Sequence, residues 1–189
     1  EEVLGENKNR FDRKTEITSF QKIDAREAAK RDIDIYYDEN SGYLGTEVRT
    51  GKSIFKVSAY DRVIIIRKNG VYSVTDVPHR LFVDKGMLFC SNADKESLGK
   101  IVFSIIYQNK KNKYVFLKRF RIEKFILDKS YLAVPEDSKL LKLTIKEDVE
   151  VAINFVPKPR INILEEVHPV SEFLIKNVRA GTTVLSLIG

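Results

Sequence analysis

Short runs of β-branched and aromatic residues, separated by turn residues, cover the chain from residue 32 onward. Such runs are typical of strands, and their brevity excludes long helices. The clearest example is YDRVIIIRKNGVYSVTDV, where the run 63–66 predicts a buried strand and 71–77 a returning one. The Lys-Asn-Gly sequence between them (68–70) favours a turn because glycine and asparagine tolerate positive φ. The sequence therefore predicts an all-β fold assembled from hairpins.

Three further hairpins follow from the same pattern. They cover 32–48 with a turn at 40–42, 100–122 with a turn at 109–113, and 139–156 with strands 141–145 and 149–156. In the last of these, Glu147-Asp148 is the predicted turn. One short helix is expected where Asp24 and Glu27 resemble a capping box.

A loose internal repeat relates these hairpins. Aligning Ile35, Ile65, Ile106 and Ile145 gives spacings of 30, 41 and 39 residues. A hairpin that recurs every 30 to 40 residues indicates a radial, propeller-like array rather than a sandwich. We expect about four such units.

Positive charge is concentrated in one part of the chain. The net charge is +6, and residues 101–129 alone contain 8 Lys+Arg against 2 Asp+Glu. A localised positive field attracts polyanions, with nucleic acid the first candidate and acidic membrane surfaces or protein tails the second. The alternative is a basic face that serves only solubility.

The segment NKKNKYVFLKRFRIEKF (109–125) combines strand character with this charge. Alternation places Phe120 and Ile122 on one face and Arg119 and Arg121 on the other. Lys118 breaks the alternation because it falls on the apolar face, so we expect a bulge or a sheet edge there. The turn before the strand is expected to project its lysines at the tip of the hairpin.

Thirteen cations are candidate contacts to DNA phosphates, because phosphate binding needs positive side chains fixed on a rigid scaffold. They are Lys110, Lys111, Lys113, Lys118, Arg119, Arg121 and Lys124 in this segment, Arg67, Lys68, Arg80 and Lys85 around the second hairpin, and Lys158 and Arg160 nearer the C-terminus. For the last two, a merely solvated role has at least equal weight, because their surroundings are net acidic.

No pattern indicates an active site or a metal site. Cys90 is the single cysteine and is expected to be a core residue, while His79 and His168 stand apart beside prolines. Neither a glycine-rich phosphate loop nor a nucleophile elbow is present in the sequence. No apolar run reaches the length of a membrane-spanning helix. We therefore expect a soluble protein, and the single cysteine favours the cytoplasm. The opening on Glu1 and a polar stretch suggests a piece of a longer protein.

Several phrases resemble one known family. NRFDRKTEI (9–17) is similar to the junction that joins the cleavage core to the C-terminal domain in the A subunit of bacterial type IIA topoisomerases. YDRVIIIRKNGVYSV is similar to the repeated unit of that domain. FVDKGMLF (82–89), YVFLKRF (114–120), VPKPRI (156–161) and FLIKNVRAGTTVLS (173–186) resemble the shorter domains of some topoisomerase IV A subunits.

The resemblance implies a β-pinwheel, a disc of four-stranded blades that exchange strands and bind bent duplex DNA along a positive rim. It divides the chain into a linker from the missing core (1–17) and the DNA-binding domain (18–189). It implies no catalytic group in this domain, whereas the full enzyme of the family uses ATP and Mg. The sequence also has no Arg-Tyr dipeptide, the pair that carries the nucleophile in the family's cleavage core. The implied partners are double-stranded DNA, the cleavage core and the ATPase B subunit, with the isolated domain monomeric.

The same resemblance separates two branches of the family. Gyrase carries a basic box close to QRRGGKG, whereas this chain has GTEVRTGKS with only Arg49, Gly51 and Lys52 at the corresponding place. This departure favours topoisomerase IV over a gyrase with a degenerate box. An unrelated propeller-like scaffold that binds protein is the alternative from another class.

Overall fold

Strands account for most of the computed structural model, which describes residues 29–154 and 165–177. The strands are β1 Ile33–Asp38, β2 Tyr43–Gly45, β3 Lys52–Val57, β4 Arg62–Arg67, β5 Val71–Asp76, β6 Leu81–Phe82, β7 Met87–Asn92, β8 Phe103–Asn109, β9 Val115–Arg121, β10 Tyr131–Leu132, β11 Ser138–Thr144, β12 Glu150–Asn154, β13 Glu165–Pro169 and β14 Ile175–Asn177. The described α-helix α1 spans Lys95–Lys100, and Asp94 caps it by accepting the Ser97 N–H. The all-β prediction is confirmed. The predicted linker and the helix at Asp24 lie outside the described residues.

Four sheets contain these strands. Sheet A has the order β3-β1-β2-β6, sheet B has β7-β4-β5-β10, sheet C has β11-β8-β9-β14, and sheet D is the pair β12-β13. In sheets A, B and C a hairpin forms the centre and the outer strand on one side pairs with the first strand of that hairpin. Among the described strands, all pairs are antiparallel except β9 with β14. Three sheets therefore repeat one plan.

The fourth strand of each four-stranded sheet comes from farther along the chain. β6 follows the central hairpin of sheet B but pairs with β2 of sheet A. Likewise, β10 follows the central hairpin of sheet C but pairs with β5 of sheet B, and β14 follows sheet D but pairs with β9. Consecutive sheets are thus linked by exchanged strands. The arrangement of the sheets as a closed disc stays a prediction.

Strand β4 packs on both of its faces, which explains its unbroken apolar sequence. Val63 and Ile65 face a core shared with sheet A, whereas Ile64 and Ile66 face a core shared with sheet C, and all four side chains are fully buried. A strand buried on both faces has no polar side to alternate with. Sheet B is therefore the middle layer between sheets A and C.

Three of the four predicted hairpins are confirmed. The pairs β1–β2, β4–β5 and β8–β9 turn where the sequence predicted, and Gly42 and Gly70 adopt positive φ values of 75° and 83°. The fourth prediction is wrong, because β11 pairs with β8 and β12 pairs with β13. Ile145, used to align the repeat, lies after the end of β11.

No helix among the described residues is long and apolar enough to span a membrane.

Candidate nucleic-acid interface

The three hairpin turns of sheets A, B and C occupy equivalent positions and are called tip A (38–42), tip B (67–70) and tip C (109–113). In tip A the Gly42 N–H donates to the Asp38 carbonyl, and in tip C the Lys113 N–H donates to the Asn109 carbonyl. The side chains of Asp38 and Asn109 also accept backbone N–H groups of their own turns. The hydrogen-bonded turn of tip B is one residue shorter, because the Gly70 N–H donates to the Arg67 carbonyl.

Backbone hydrogen bonds join tip A to loop 83–86, and they join both tip B and tip C to loop 133–137. The Val83 N–H donates to the Gly42 carbonyl, and the Ala133 N–H donates to the Gly70 carbonyl, each at 2.9 Å. At the next tip, the Lys110 N–H donates to the Asp137 carbonyl at 2.7 Å. Each loop follows an exchanged strand, so the exchange itself brings neighbouring tips together.

Side chains complete the link between tip A and tip B. The Tyr37 hydroxyl donates to the Asp84 carbonyl and accepts the N–H groups of Gly86 and Met87, each at 3.1 Å. A Cβ built on Gly86 would lie 3.2 Å from Cδ of Lys68, so this lysine packs along loop 83–86. Tip A, loop 83–86, tip B, loop 133–137 and tip C thus form a continuous edge of the molecule.

Tips B and C and their loops carry the exposed cations of this edge. Lys68, Lys85, Lys110 and Lys113 are exposed and make no ion pair within the described residues. Lys111 is also exposed but pairs with Asp137. Tip B, tip C and the loops 83–86 and 133–137 together form what we call the cationic edge.

Arg67 belongs to the cationic edge but is less open than its neighbours. Its side chain is half-buried, and one guanidinium nitrogen donates to the Ser73 hydroxyl at 3.2 Å. Burial lowers the pKa of Arg67, and the charge of Asp84 opposes that shift. Arginine stays charged under all ordinary conditions, so Arg67 adds to the local positive field even where it does not reach a ligand.

Tip A differs from tip C in charge although the two turns share a backbone plan. Asp38 is nearly buried and accepts hydrogen bonds from the hydroxyls of Ser41 and Thr50, both at 2.7 Å. These bonds lower the pKa of Asp38 to about 2. Where tip C presents lysines, tip A presents an ionised carboxylate and the exposed Glu39.

Lys118 and Arg119 do not belong to an open cationic face, and their burial argues against the predicted contacts to DNA. Lys118 is 8% exposed and its Nζ donates to the Ala133 carbonyl at 3.0 Å, and burial lowers the pKa of its ammonium group. Arg119 is 6% exposed and donates to the carbonyls of Ser171 and Phe173. Both side chains therefore connect β9 to backbone carbonyls of other segments.

The disturbed alternation at Lys118 comes from a sheet edge and not from a bulge. The pairing of β8 with β9 is regular from Phe103 opposite Phe120 to Gln108 opposite Val115. On its other side β9 pairs with β14 only over Arg119–Arg121. Within the described part of the chain, the first half of β9 is therefore an edge.

The remaining candidates lie apart from the cationic edge. Arg121 and Lys124 are exposed, but they lie at and beyond the end of β9 that is farther from tip C. Arg80 is exposed and its guanidinium lies 4.3 Å from the centre of the Tyr43 ring, a cation–π contact. Lys158 and Arg160 fall outside the described residues.

One residue that the sequence reasoning missed is Asp137, which contacts tip C through both its backbone and its side chain. It lies 26 positions after Lys111, and no local sequence pattern predicts a contact between residues so far apart in the chain. The only sequence signal is its place in a short polar stretch just before a strand. In the described ranges there is no cluster of three or more potential metal-ligating side chains.

Comparison with known proteins identifies the family. No solved structure matches the chain. The chain is 29% identical over 143 residues to the A subunit of DNA topoisomerase 4 from Borreliella burgdorferi, a match that covers 76% of this chain and 23% of that protein. The chain therefore spans about a quarter of that relative. The family model described as topoisomerase C-terminal domain, Bacteroidota, matches residues 34–186, so the chain belongs to this family of topoisomerase C-terminal domains.

Proposed function

We propose that this domain is the non-catalytic, duplex-DNA-binding and bending module of a topoisomerase IV A subunit. It positions a DNA segment for ATP-dependent strand passage, in relaxation or decatenation, by the rest of the enzyme. Family membership and the name of the relative in Borreliella burgdorferi support the enzyme class. The cationic edge supports the binding of DNA.

The observation that carries the proposal is the set of exposed lysines on one hydrogen-bonded edge. Lys68, Lys85, Lys110 and Lys113 are held on turns whose backbones are fixed by the contacts described above. Lysines on a fixed scaffold can neutralise phosphates that follow one another along a duplex. Contacts to phosphates carry no sequence information directly, so binding is expected to depend little on sequence.

The number of neutralised phosphates also determines how steeply the affinity for DNA falls with salt. Neutralising about four phosphates predicts that log Kobs falls with log salt with a slope of about −3.6. Bending a 20 to 30 bp site costs on the order of 1 to 6 kcal/mol. Because so few contacts must offset that cost, the bend is expected to be modest at physiological salt.

Matched double variants test the proposal. Lys110→Ala with Lys113→Gly removes two charges from tip C, and glycine is used because Lys113 has a φ of 63°. The control, Lys95→Ala with Lys100→Ala, removes two exposed charges from α1, which connects the strand ends remote from tips B and C. Binding to two unrelated 30 bp duplexes is measured at several salt concentrations.

We expect the tip C variant to weaken binding to both duplexes equally and to reduce the magnitude of the salt slope by about 2, one unit for each lost phosphate contact. The control is expected to retain nearly all of the affinity. Absence of binding by the unchanged domain at low salt would contradict DNA binding and favour a protein-binding scaffold. Equal losses in both variants would show that the cationic edge is the wrong surface.

The rest of the assignment extends to the whole enzyme. The domain acts in the cytoplasm beside the cleavage core and the ATPase B subunit, and the ATP and Mg of the reaction bind to those other parts. The relative's name and the sparse charge of the 45–53 segment both favour topoisomerase IV over gyrase. Supercoiling assays of the assembled enzyme distinguish the two, because only gyrase introduces negative supercoils.

A further inference from the structure

Asp137 places a carboxylate beside two lysines of tip C. Its Oδ2 lies 2.6 Å from Nζ of Lys111, while its carbonyl accepts the Lys110 N–H. The hydrogen bond and charge of Lys111, with a smaller contribution from the charge of Lys110, lower the pKa of Asp137. Asp137 in turn raises the pKa of Lys111. The carboxylate is therefore ionised and sits in the field of two lysines, as a phosphate would.

The pair is open to exchange. The side chains of Lys111 and Asp137 are 78% and 59% exposed, and ion pairs this exposed contribute little to stability. A polyanion that brings several phosphates to the edge at once can therefore compete for Lys111. Until that happens, Lys111 is occupied and a negative charge stands beside the lysines that bind DNA.

We propose that Asp137 is an internal competitor of DNA phosphates for Lys111 and thereby limits the affinity of the cationic edge. The inference rests on the proposed DNA binding of that edge. It goes beyond it by assigning a carboxylate that weakens binding, so its removal is predicted to increase affinity.

The shape of tip C does not depend on this carboxylate. The Asn109 side chain accepts the N–H groups of Lys111 and Asn112, and the Lys113 N–H donates to the Asn109 carbonyl. The contact from Lys110 to Asp137 uses only the backbone carbonyl of Asp137. Asp137→Asn is therefore expected to leave the turn in place.

Glu136 offers a matched control. It is exposed on the same loop and makes no ion pair with any described residue. Glu136→Gln removes the same charge as Asp137→Asn but frees no lysine. A comparison of the two separates the release of Lys111 from the general loss of negative charge.

The experiment measures duplex binding and its salt slope for Asp137→Asn, Glu136→Gln, Lys110→Ala, Lys111→Ala and the double variant Asp137→Asn with Lys111→Ala. Thermal melting is the check on folding. Asp137→Asn is expected to tighten binding about three- to tenfold. The substitution frees the charge of Lys111, and one unit charge near a phosphate contributes about 1 kcal/mol at the surface. Its salt slope is expected to steepen by about 1. Glu136→Gln is expected to change affinity less than about twofold.

The variants that carry Lys111→Ala test the inference independently if Asp137→Asn alters folding. Lys111→Ala is expected to weaken binding less than Lys110→Ala does, because DNA phosphates must first displace the Asp137 carboxylate from Lys111. In the Lys111→Ala background, Asp137→Asn is expected to change affinity no more than Glu136→Gln does. A loss with Lys111→Ala as large as with Lys110→Ala would overturn the inference. Equal gains in affinity from Asp137→Asn and Glu136→Gln would also overturn the inference, but they would not contradict the binding of DNA. An unchanged domain that binds no DNA would instead overturn the proposed function.

Discussion

Two cations that are buried in the described part of the chain serve the fold. Lys118 extends from β9 to the Ala133 carbonyl of the segment that follows β10, and Arg119 extends on the other side to the turn at 171–173. Their positions explain how a basic strand can lie inside a sheet: the apolar stems pack and the charged ends reach backbone carbonyls. A positive residue on a strand is thus poor evidence for a ligand until its partners are known.

Lys118→Ala is expected to reduce stability without a specific effect on DNA affinity. Loss of the ammonium leaves the Ala133 carbonyl, in a fully buried residue, without this donor. The expected decrease in the free energy of unfolding is about 1–3 kcal/mol, measured by urea denaturation. Lys124→Ala, an exposed change in the same segment, is the control and should stay within about 0.5 kcal/mol. A Lys118→Ala domain of unchanged stability that binds DNA more weakly would contradict this role.

At the scale of single elements, the turn glycines determine how closely neighbouring sheets approach. Gly70 has a φ of 83°, and a Cβ added there would lie 2.3 Å from Cγ2 of Val134. Only glycine permits both the turn and the close approach of loop 133–137. The tip B turn is therefore matched to the exchanged segment that lies against it.

A pair of glycine substitutions tests this requirement. Gly70→Ala is expected to lower the free energy of unfolding by about 2–4 kcal/mol, because overpacking adds to the cost of positive φ. Gly99→Ala, in α1 where no atom lies within 4 Å of the added Cβ, should raise it by about 0.5–1 kcal/mol, because alanine favours helices. Denaturant titration of both variants measures the difference. Equal effects would show that position 70 imposes no special demand.

The strands and turns also show which parts of the fold can be predicted from the sequence. Three hairpins were predictable because strand, turn and strand are contiguous and Asn-Gly or Ser-Gly marks each turn of the first two. The exchanged strands β6 and β10 have two residues each, too few to show a period. The fourth hairpin was mispredicted because Glu147-Asp148 has turn chemistry. The partner of β11 is instead β8, whose paired residues lie 29 to 40 positions earlier. Local pattern cannot choose between a near and a distant partner.

The same limit applies to the candidate site. Charge density singled out tip C because its lysines are close together in sequence, and the structure shows that these lysines are exposed. Their contact with DNA stays a prediction. The burial of Arg119 could not be predicted, since the residues that cover it, 171–173, lie some fifty positions away. Exposure is a property of the assembled fold, and alternation along one strand reveals only which side a residue faces.

At the scale of the whole molecule, two cores joined by β4 couple sheets A, B and C. Ile65 belongs to the core between sheets A and B, and Ile105 belongs to the core between sheets B and C. Because β4 contributes to both cores, loss of either one exposes a face of the same strand. Sheets A, B and C are therefore expected to unfold together.

Two conservative core substitutions test this coupling. Ile65→Val and Ile105→Val should each cost about 0.5–1.5 kcal/mol, and each should shift the whole transition, followed by far-UV circular dichroism and by tyrosine fluorescence. Coincident curves for both probes in both variants are the expected outcome. A variant that splits the curve into two steps would show that the sheets behave as separate units.

The exchange of strands also dictates the order in which the domain can be completed as it leaves the ribosome. Sheet A lacks a strand until residues 81–82 have emerged, sheet B until 131–132, and sheet C until 175–177. At each stage of translation the newest hairpin has an open edge that only downstream sequence can close. A nascent chain that stalls between these points would present that edge to other chains, so steady elongation protects this domain from misassembly.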